Sequence, residues 1–363
     1  MHILIVRDPV GVEHLDEIHV IGGKCLKGNI TVQGSKNTVL PVMAASLLQK
    51  GVCVLKNCPR ISDVFYMEEI LRHLGAETCW KNHDLYLDCS RADGTEISAE
   101  YTGKMRCSVI MLGALLGRQR RGAIGYPGGC VIGKRPVDLH LYALKSLGAE
   151  ISESSEKIEA TCRKLKGAEI CFIKISVGAT EQALLASVLA EGETQIRNCA
   201  REPEIIWLCR FLKEMGAKIR GEGEECICVQ GVQSLHGTEV EIPADRIVTG
   251  TYLCAAAATR GKITIENAPE GEIDAFLEVY RKMGGQYEWK SGKLIANGAG
   301  IQFSVPFLET EAYPGFPTDM QPQMAVVLGI AQGTSTVTES IFENRFKYVD
   351  ELTRMGANIK VES

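Results

Sequence analysis

The sequence predicts an α+β protein built from a duplicated supersecondary unit of about 70 residues, present five times. Two recurring phrases and the size of the chain predict it. In the first phrase a helix-like segment closes on a Leu/Met-Gly-Ala/Gly turn and leads into a strand: LRHLGAETCW, LKSLGAEISE, LKEMGAKIRG, RKMGGQYEWK and LTRMGANIKV. Its glycines, Gly75, Gly148, Gly216, Gly284 and Gly356, are spaced by 73, 68, 68 and 72 residues. Glycine suits the end of a helix because it enters the left-handed conformation without a Cβ clash.

The second phrase is an Ala- and Leu-rich helix, then a glycine, then a β-branched strand. It reads AASLLQKGVCVLKN, ALLGRQRRGAIGYP, SVLAEGETQIRN, AAAATRGKITIEN and LGIAQGTSTVTES, with Gly51, Gly122, Gly192, Gly261 and Gly333 at spacings of 71, 70, 69 and 72. Two independent phrases in one period describe a unit with two helices and several strands. Units this small cannot bury their apolar faces alone. The expectation is therefore shared cores with helices inside and mixed sheets facing out. At 363 residues and 45% hydrophobic, the chain is long enough for two such cores. The fifth unit stops at NIKVES, where the rhythm calls for another helix and strand.

Composition narrows the function classes. The opening MHILIVRDPVGVEHLDE lacks the basic start, apolar core and small-residue cleavage site of a signal peptide. No later apolar run approaches the roughly 18 residues of a membrane helix, so the expected location is the cytoplasm, without membrane partners. Fourteen cysteines are scattered through apolar segments such as VCVLKNC and ICFIKI, as small core residues in a reducing compartment would be. Cys226 and Cys228 in EECICVQ have the C-x-C spacing of a possible metal site, but the period-two alternation around them reads as a plain strand. A net charge of −5 and a pI near 5.9 exclude a general nucleic-acid partner, which requires a broad basic face. An anionic small molecule remains compatible where cations cluster locally.

One stretch gathers such cations. PGGCVIGKRPVDLH sets Cys130 among Gly128, Gly129 and Gly133, with Lys134 and Arg135 just beyond. Glycine-rich backbone can bend and approach a ligand, and neighbouring cations lower a thiol's pKa and attract anions. From the residues alone Cys130 is either a nucleophile or acid on an anion-binding loop, or a buried structural cysteine beside a glycine turn. Arg135 and Asp138 could equally be a surface turn, His140 a capped or core histidine, and Asp319 a loop or N-cap aspartate. Lys36 and Arg106 read equally as ordinary solvated residues.

The ordered set GSKNTVLP, MRCS, PGGC-x-IG-x-RPVDLH, SVGAT, REPEI, FPTDMQ and FENRF resembles the UDP-N-acetylglucosamine 1-carboxyvinyltransferase family from about Gly22 to Ser363. The resemblance implies an α/β prism of two domains, each of three repeat units about a pseudo-threefold axis. They are expected at 37–243, carrying the Cys130 loop, and at 1–36 plus 244–363, the second lacking its last unit. It also implies transfer of enolpyruvyl from phosphoenolpyruvate to the 3'-hydroxyl of UDP-N-acetylglucosamine with release of phosphate, without metal or redox cofactor.

By the same resemblance Cys130 is the general acid that can also bond covalently to phosphoenolpyruvate, and Lys36 and Asn37 contact phosphoenolpyruvate and sugar. Arg106 belongs to the substrate site. Arg135, Pro136, Val137, Asp138 and Leu139 line the uridine and phosphate site, and Lys174, Ser176, Val177 and Gly178 flank the diphosphate. Asp319 takes the 3'-hydroxyl proton and Ile341 contacts the nucleotide sugar. Both substrates are polyanions, which the local cations answer.

Two other functions share these features. The sister reaction on shikimate 3-phosphate uses the same fold, but the PGGC loop and RPVDLH argue against it. A non-catalytic binder of UDP-N-acetylglucosamine is suggested by Trp207 and Val248, which stand where the family usually carries acidic residues, and by the absence of the arginines of a sixth unit. The expectation for the end of the chain is an incomplete gene product whose second domain leaves helix faces bare.

Overall fold

The computed structural model describes residues 3–5, 18–128 and 136–362. Cys130 and Arg135 lie outside the described residues. Ten helices of seven or more residues alternate between two kinds of environment among the described residues. They are α1 (Lys36–Ser46), α2 (Ser62–His73), α3 (Met111–Gln119), α4 (Asp138–Ser146), α5 (Val177–Ser187), α6 (Pro203–Glu214), α7 (Arg246–Ala258), α8 (Asp274–Lys282), α9 (Gln321–Ile330) and α10 (Tyr348–Arg354). In α1 every residue from Thr38 to Ser46 is buried, and in α5 every residue from Ala179 to Ser187. A helix that is apolar on all sides belongs in a core. By contrast α8 buries Phe276, Leu277 and Tyr280 and turns its charged residues outward.

The sheets repeat one plan. Strand Glu239–Glu241 runs parallel to Val52–Lys56, which pairs antiparallel with Asp84–Asp88, which pairs antiparallel with Glu77–Lys81. The same order recurs in Glu96–Ile97, Arg121–Gly125, Lys157–Thr161 and Glu150–Glu153, and in Glu169–Cys171, Glu193–Arg197, Cys226–Gln230 and Lys218–Arg220. A fourth sheet runs Lys27–Thr31, Lys262–Glu266, Lys293–Asn297 and Gln286–Lys290. The fifth consists of the parallel pair Phe307–Thr310 and Thr336–Glu339. Five copies of the unit predicted by the glycine rhythm are thus visible as five parallel strand pairs. In Cys226–Gln230 the residues Ile227 and Val229 are buried, while Cys226 and Cys228 take the opposite face, as an ordinary strand requires.

The buried apolar residues separate into two clusters. One runs from Val39 to Ile242; the other contains Val32 and residues from Ala244 to Leu328. The chain passes between them twice, at Val32–Val39 and at Ile242–Ala244, and the two passages lie side by side. Ser35 N donates to Pro243 O (2.7 Å) and Asp245 N to Gln33 O (3.0 Å). Strand Lys27–Thr31 thereby joins the sheet of the second cluster, and Glu239–Glu241 joins the first. In the part of the chain after Ala244, Phe303, Phe307, Ile330 and Met355 are exposed. No helix among the described residues is long and apolar enough to cross a membrane.

All five glycines of the first phrase have positive φ, between 90° and 101°. Of the second phrase only Gly192 and Gly333 do; at two of the other positions Arg120 and Arg260, just ahead of the glycine, take the left-handed turn instead. A regularity the glycines concealed lies in Asn57, Asn198 and Asn267, also left-handed, at the end of the strand that follows. Their side chains donate to Ile242 O (2.9 Å), Phe172 O (2.8 Å) and Val32 O (3.1 Å), fastening each parallel edge strand to its sheet.

Gly148 and Gly284 separate two costs of losing such a glycine. A Cβ at Gly148 would meet nothing within 4 Å, whereas one at Gly284 would lie 2.3 Å from Gly300 O. Gly148→Ala is expected to cost about 1 kcal/mol from backbone strain alone, and Gly284→Ala at least about 2 kcal/mol more because backbone must move. Urea denaturation of the two variants checks the difference.

Candidate active site

The N-termini of the inner helices converge on the seam between the two clusters. Ser35 caps α1 by accepting from Thr38 N (3.3 Å), which leaves Lys36 and Asn37 as the first residues of the helix. Lys36 N donates to Asp245 Oδ2 (3.1 Å), while Asp245 Oδ1 caps α7 through Ile247 N (2.8 Å) and Val248 N (3.0 Å). A single carboxylate therefore ties two helix starts together across the seam. The Lys36 ammonium lies 3.3 Å from Asp63, and both side chains are partly exposed.

Asn37 reaches further. Its Nδ2 donates to Asp319 Oδ2 (3.3 Å), and Arg345 approaches Asp319 Oδ1 at 2.8 Å. Asp319 sits in the 3-10 turn Thr318–Met320 that opens α9 and does not cap the helix. Thus SKN, FPTDMQ and FENRF meet at one half-exposed carboxylate, with Asn37 and Asp319 282 residues apart in the chain.

The second group of expected residues sits on α4 and α5. Pro136 is exposed and Val137 buried in the larger core; Asp138 opens α4 at the surface, with Leu139 packed against that core. Ser176 caps α5 by accepting from Ala179 N (3.3 Å), Val177 and Gly178 form its first turn, and Lys174 precedes it, exposed. His140 is a core histidine: a Cβ at Gly178 would lie 2.8 Å from His140 Cε1, so only glycine lets the two helices meet there. Residues 136–140 and the SVGAT segment therefore lie side by side.

Arg106 starts the 3-10 turn Arg106–Ile110 that leads into α3, and its guanidinium donates to Pro127 O (3.4 Å), at the edge of the glycine loop. That turn packs on both α1 and α5. The helix dipole makes each of these helix starts favourable to anions, beyond the N–H groups already capped by Ser35, Ser176 and Asp245. Ile341 lies beside FENRF, its N–H donated to Glu339 Oε1 (3.0 Å).

Sequence reasoning missed the acids and the arginine that fill the seam. Arg246, the first residue of α7, forms a two-pronged pair with Glu204 of α6, Nε to Oε1 at 2.9 Å and Nη2 to Oε2 at 3.3 Å, with both side chains buried. Burial works against the Arg246 charge, but Glu204 and then Glu202 hold its pKa above the usual value. Glu202 accepts from Tyr313 N (3.4 Å), and burial raises its carboxyl. REPEI contains both glutamates, but only folding brings α6 opposite α7 and Glu204 onto Arg246. Trp207 is not an empty substitution: its indole donates to Glu272 (3.1 Å) across the seam and stacks under Arg210, which lies 4.8 Å from the ring centroid. Val248 packs against the second core.

Glu181, buried in α5, carries the largest consequence for pH. Burial, then the charges of Glu204 and Glu202, push its carboxyl from 4.5 up to about 8. Between these values the folded chain keeps a proton that the unfolded chain releases. Stability therefore falls as pH rises through this window, and the contribution is fully present only below about 4.5. Glu181→Gln is expected to melt close to the parent near pH 5 and several degrees above it near pH 8.5, read by calorimetry. Arg246→Met, which leaves Glu204 buried without its partner, is expected to cost about 3–5 kcal/mol, read by denaturant unfolding.

Known proteins match the chain along most of its length. The family model described as EPSP synthase (3-phosphoshikimate 1-carboxyvinyltransferase) matches residues 20–363. UDP-N-acetylglucosamine 1-carboxyvinyltransferase 2 of Caldanaerobacter subterraneus subsp. tengcongensis is 47% identical over 348 residues, 96% of this chain and 84% of its own length. UDP-N-acetylglucosamine 1-carboxyvinyltransferase 1 of Symbiobacterium thermophilum is 45% identical, over 96% of this chain and 80% of its own length. Among solved structures the enolpyruvyl transferase NikO from Streptomyces tendae superposes with a TM-score of 0.82 at 22% identity, covering 94% of this chain and 81% of that one. An EPSP synthase from Acinetobacter baumannii gives 0.67 at 20% identity, covering 92% and 80%. The chain belongs to the EPSP synthase family of carboxyvinyltransferases and, within it, to the UDP-N-acetylglucosamine 1-carboxyvinyltransferases.

Proposed function

We propose that the chain transfers the enolpyruvyl group of phosphoenolpyruvate to the 3'-hydroxyl of UDP-N-acetylglucosamine, the step that commits this nucleotide sugar to peptidoglycan, and does so in the cytoplasm. The observation that carries the reading is Asp319 held between Asn37 and Arg345. A carboxylate that accepts from an amide and a guanidinium is held in a fixed direction. The working division of the chain is 37–243 against 1–36 plus 244–363, with the reacting groups drawn from both parts.

In this reading UDP-N-acetylglucosamine lies with its phosphates and uridine along Arg135–Leu139 and Lys174–Gly178. Lys36 and Arg106 attract the phosphate and carboxylate of phosphoenolpyruvate. The 3'-hydroxyl oxygen bonds to C2 of phosphoenolpyruvate as its proton passes to Asp319, and C3 gains a proton from the Cys130 thiol. The tetrahedral adduct then returns a C3 proton to the Cys130 thiolate and expels phosphate, which takes the proton held by Asp319, and the double bond is restored as enolpyruvyl. The charge changes are small and local, so the residues need only bind polyanions and exchange protons. Cys130 stands outside the described residues, and its part rests on the PGGC-x-IG-x-RPVDLH match.

The test is phosphate release from purified protein given both substrates. Wild type is expected to release phosphate, and Cys130→Ala and Asp319→Asn to lower kcat by about 10²-fold or more. Cys130→Ala is also expected to lose covalent labelling by a fosfomycin-type epoxide, read by mass spectrometry. A melting shift with UDP-N-acetylglucosamine but no phosphate release would replace the transferase reading with that of a binder.

A further inference from the structure

Asp319 stands in a short 3-10 turn with its side chain 42% exposed, so nothing in its own backbone sets the direction of its carboxylate. Two neighbours set it, and they differ in strength. Asn37 offers a neutral amide at 3.3 Å, while Arg345 offers a guanidinium at 2.8 Å from a side chain only 13% exposed. A charge-assisted bond of that length is roughly twice as strong as a neutral one.

Arg345 is itself held rigidly. Its guanidinium lies over the Phe342 ring, 5.7 Å from the centroid. The turn that carries it is anchored by Glu339, whose Oε1 accepts from Ile341 N and Phe342 N, each at 3.0 Å. The same carboxylate accepts from Thr318 Oγ1 at 2.9 and 3.0 Å, so Glu339 grips both the FENRF turn and the residue next to Asp319. Ser340 N adds a bond to Thr310 Oγ1 (3.1 Å), fixing the turn to the neighbouring strand. Four side chains thus form a closed frame: Glu339 to Thr318, Asp319 to Arg345, and Arg345 back along its turn to Glu339.

The geometry points to Arg345 as a positioning residue for the transfer: braced by Glu339 and Phe342, it aims the Asp319 carboxylate and holds it beside Asn37. The inference rests on the reading of Asp319 as the group that accepts the hydroxyl proton. It adds a residue which neither the sequence motif reading nor the contact to Ile341 assigns. A guanidinium suits the task because it stays charged at any working pH and never competes for the transferred proton. Because only one guanidinium nitrogen makes the contact, a lysine can replace it in part.

The test compares Arg345→Met, Arg345→Lys and Thr318→Val in the full chain, with kcat and KM for each substrate and melting temperature. Arg345→Met is expected to lower kcat by about 10²-fold with KM changed less than about threefold, since a misaimed group costs rate and not binding. Arg345→Lys is expected to recover most of that loss, and Thr318→Val to fall between. In an Asp319→Asn background Arg345→Met is expected to cause no further loss. Wild-type kcat in Arg345→Met, or an equal loss in both backgrounds, would overturn the inference. Should the parent chain release no phosphate, the transferase reading fails by itself, and a crystal structure of Arg345→Met still decides the inference. An Asp319 carboxylate that leaves Asn37 supports it, and one that stays in place overturns it.

Discussion

In the larger core the units of about 70 residues bring in helices too apolar to face water on any side, and that constraint organises everything else. Helices such as α1 and α5 can be buried only if several units pool them, which sets sheets outside and helix bodies inside. Burying the bodies leaves the ends as the only parts with unsatisfied polar groups. At the N-terminal ends those groups are N–H donors, gathered here from α1, α5 and α7 along with the turns that open α3 and α9. A protein that must bind two phosphate-bearing molecules obtains an anion-attracting floor from this packing, with few cations required from composition. The net charge of −5 is then no obstacle, because attraction is needed at one place and not over the surface.

The seam shows how the same ends are kept from repelling or drifting. Asp245 serves two helices, and Arg246 is met by Glu204 in the two-pronged geometry that a buried ion pair needs. Further acids, Glu181 and Glu202, lie near the pair, and burial followed by the charges of Glu204 and Glu202 raises the Glu181 carboxyl to about 8. Trp207 fits this setting. An acid there would add to a crowd of acids, whereas an indole donates to Glu272 and brings no charge.

Much of the fold was legible in the sequence because glycine at a helix end is a backbone requirement, one that recurs wherever the unit recurs. Gly75, Gly148, Gly216, Gly284 and Gly356 all adopt the left-handed turn that their phrase implied. The second phrase was weaker evidence of conformation, since Arg120 and Arg260 take the turn that a glycine one or two places later seemed to mark. The Asn57, Asn198 and Asn267 fastening escaped notice because its partners, such as Ile242 for Asn57, lie far away in sequence. The site divides in the same way. Motif residues Lys36, Asn37, Asp319 and Gly178 could be named from the text of the chain. Arg246, Glu204, Glu181 and Arg345 could not, because their significance is which opposite charge they face, and only the packed arrangement decides that.

The paired passages between the two cores carry a mechanical consequence. Gln33 and Ser35 are hydrogen-bonded to Asp245 and Pro243, so the link is a narrow two-stranded ribbon. A ribbon resists stretching and sideways shear but yields to torsion. Torsion of that ribbon would also have to part Arg246 from Glu204, Trp207 from Glu272 and Asn37 from Asp319, so the side-chain bonds across the seam, and not the ribbon itself, set the resistance to twisting.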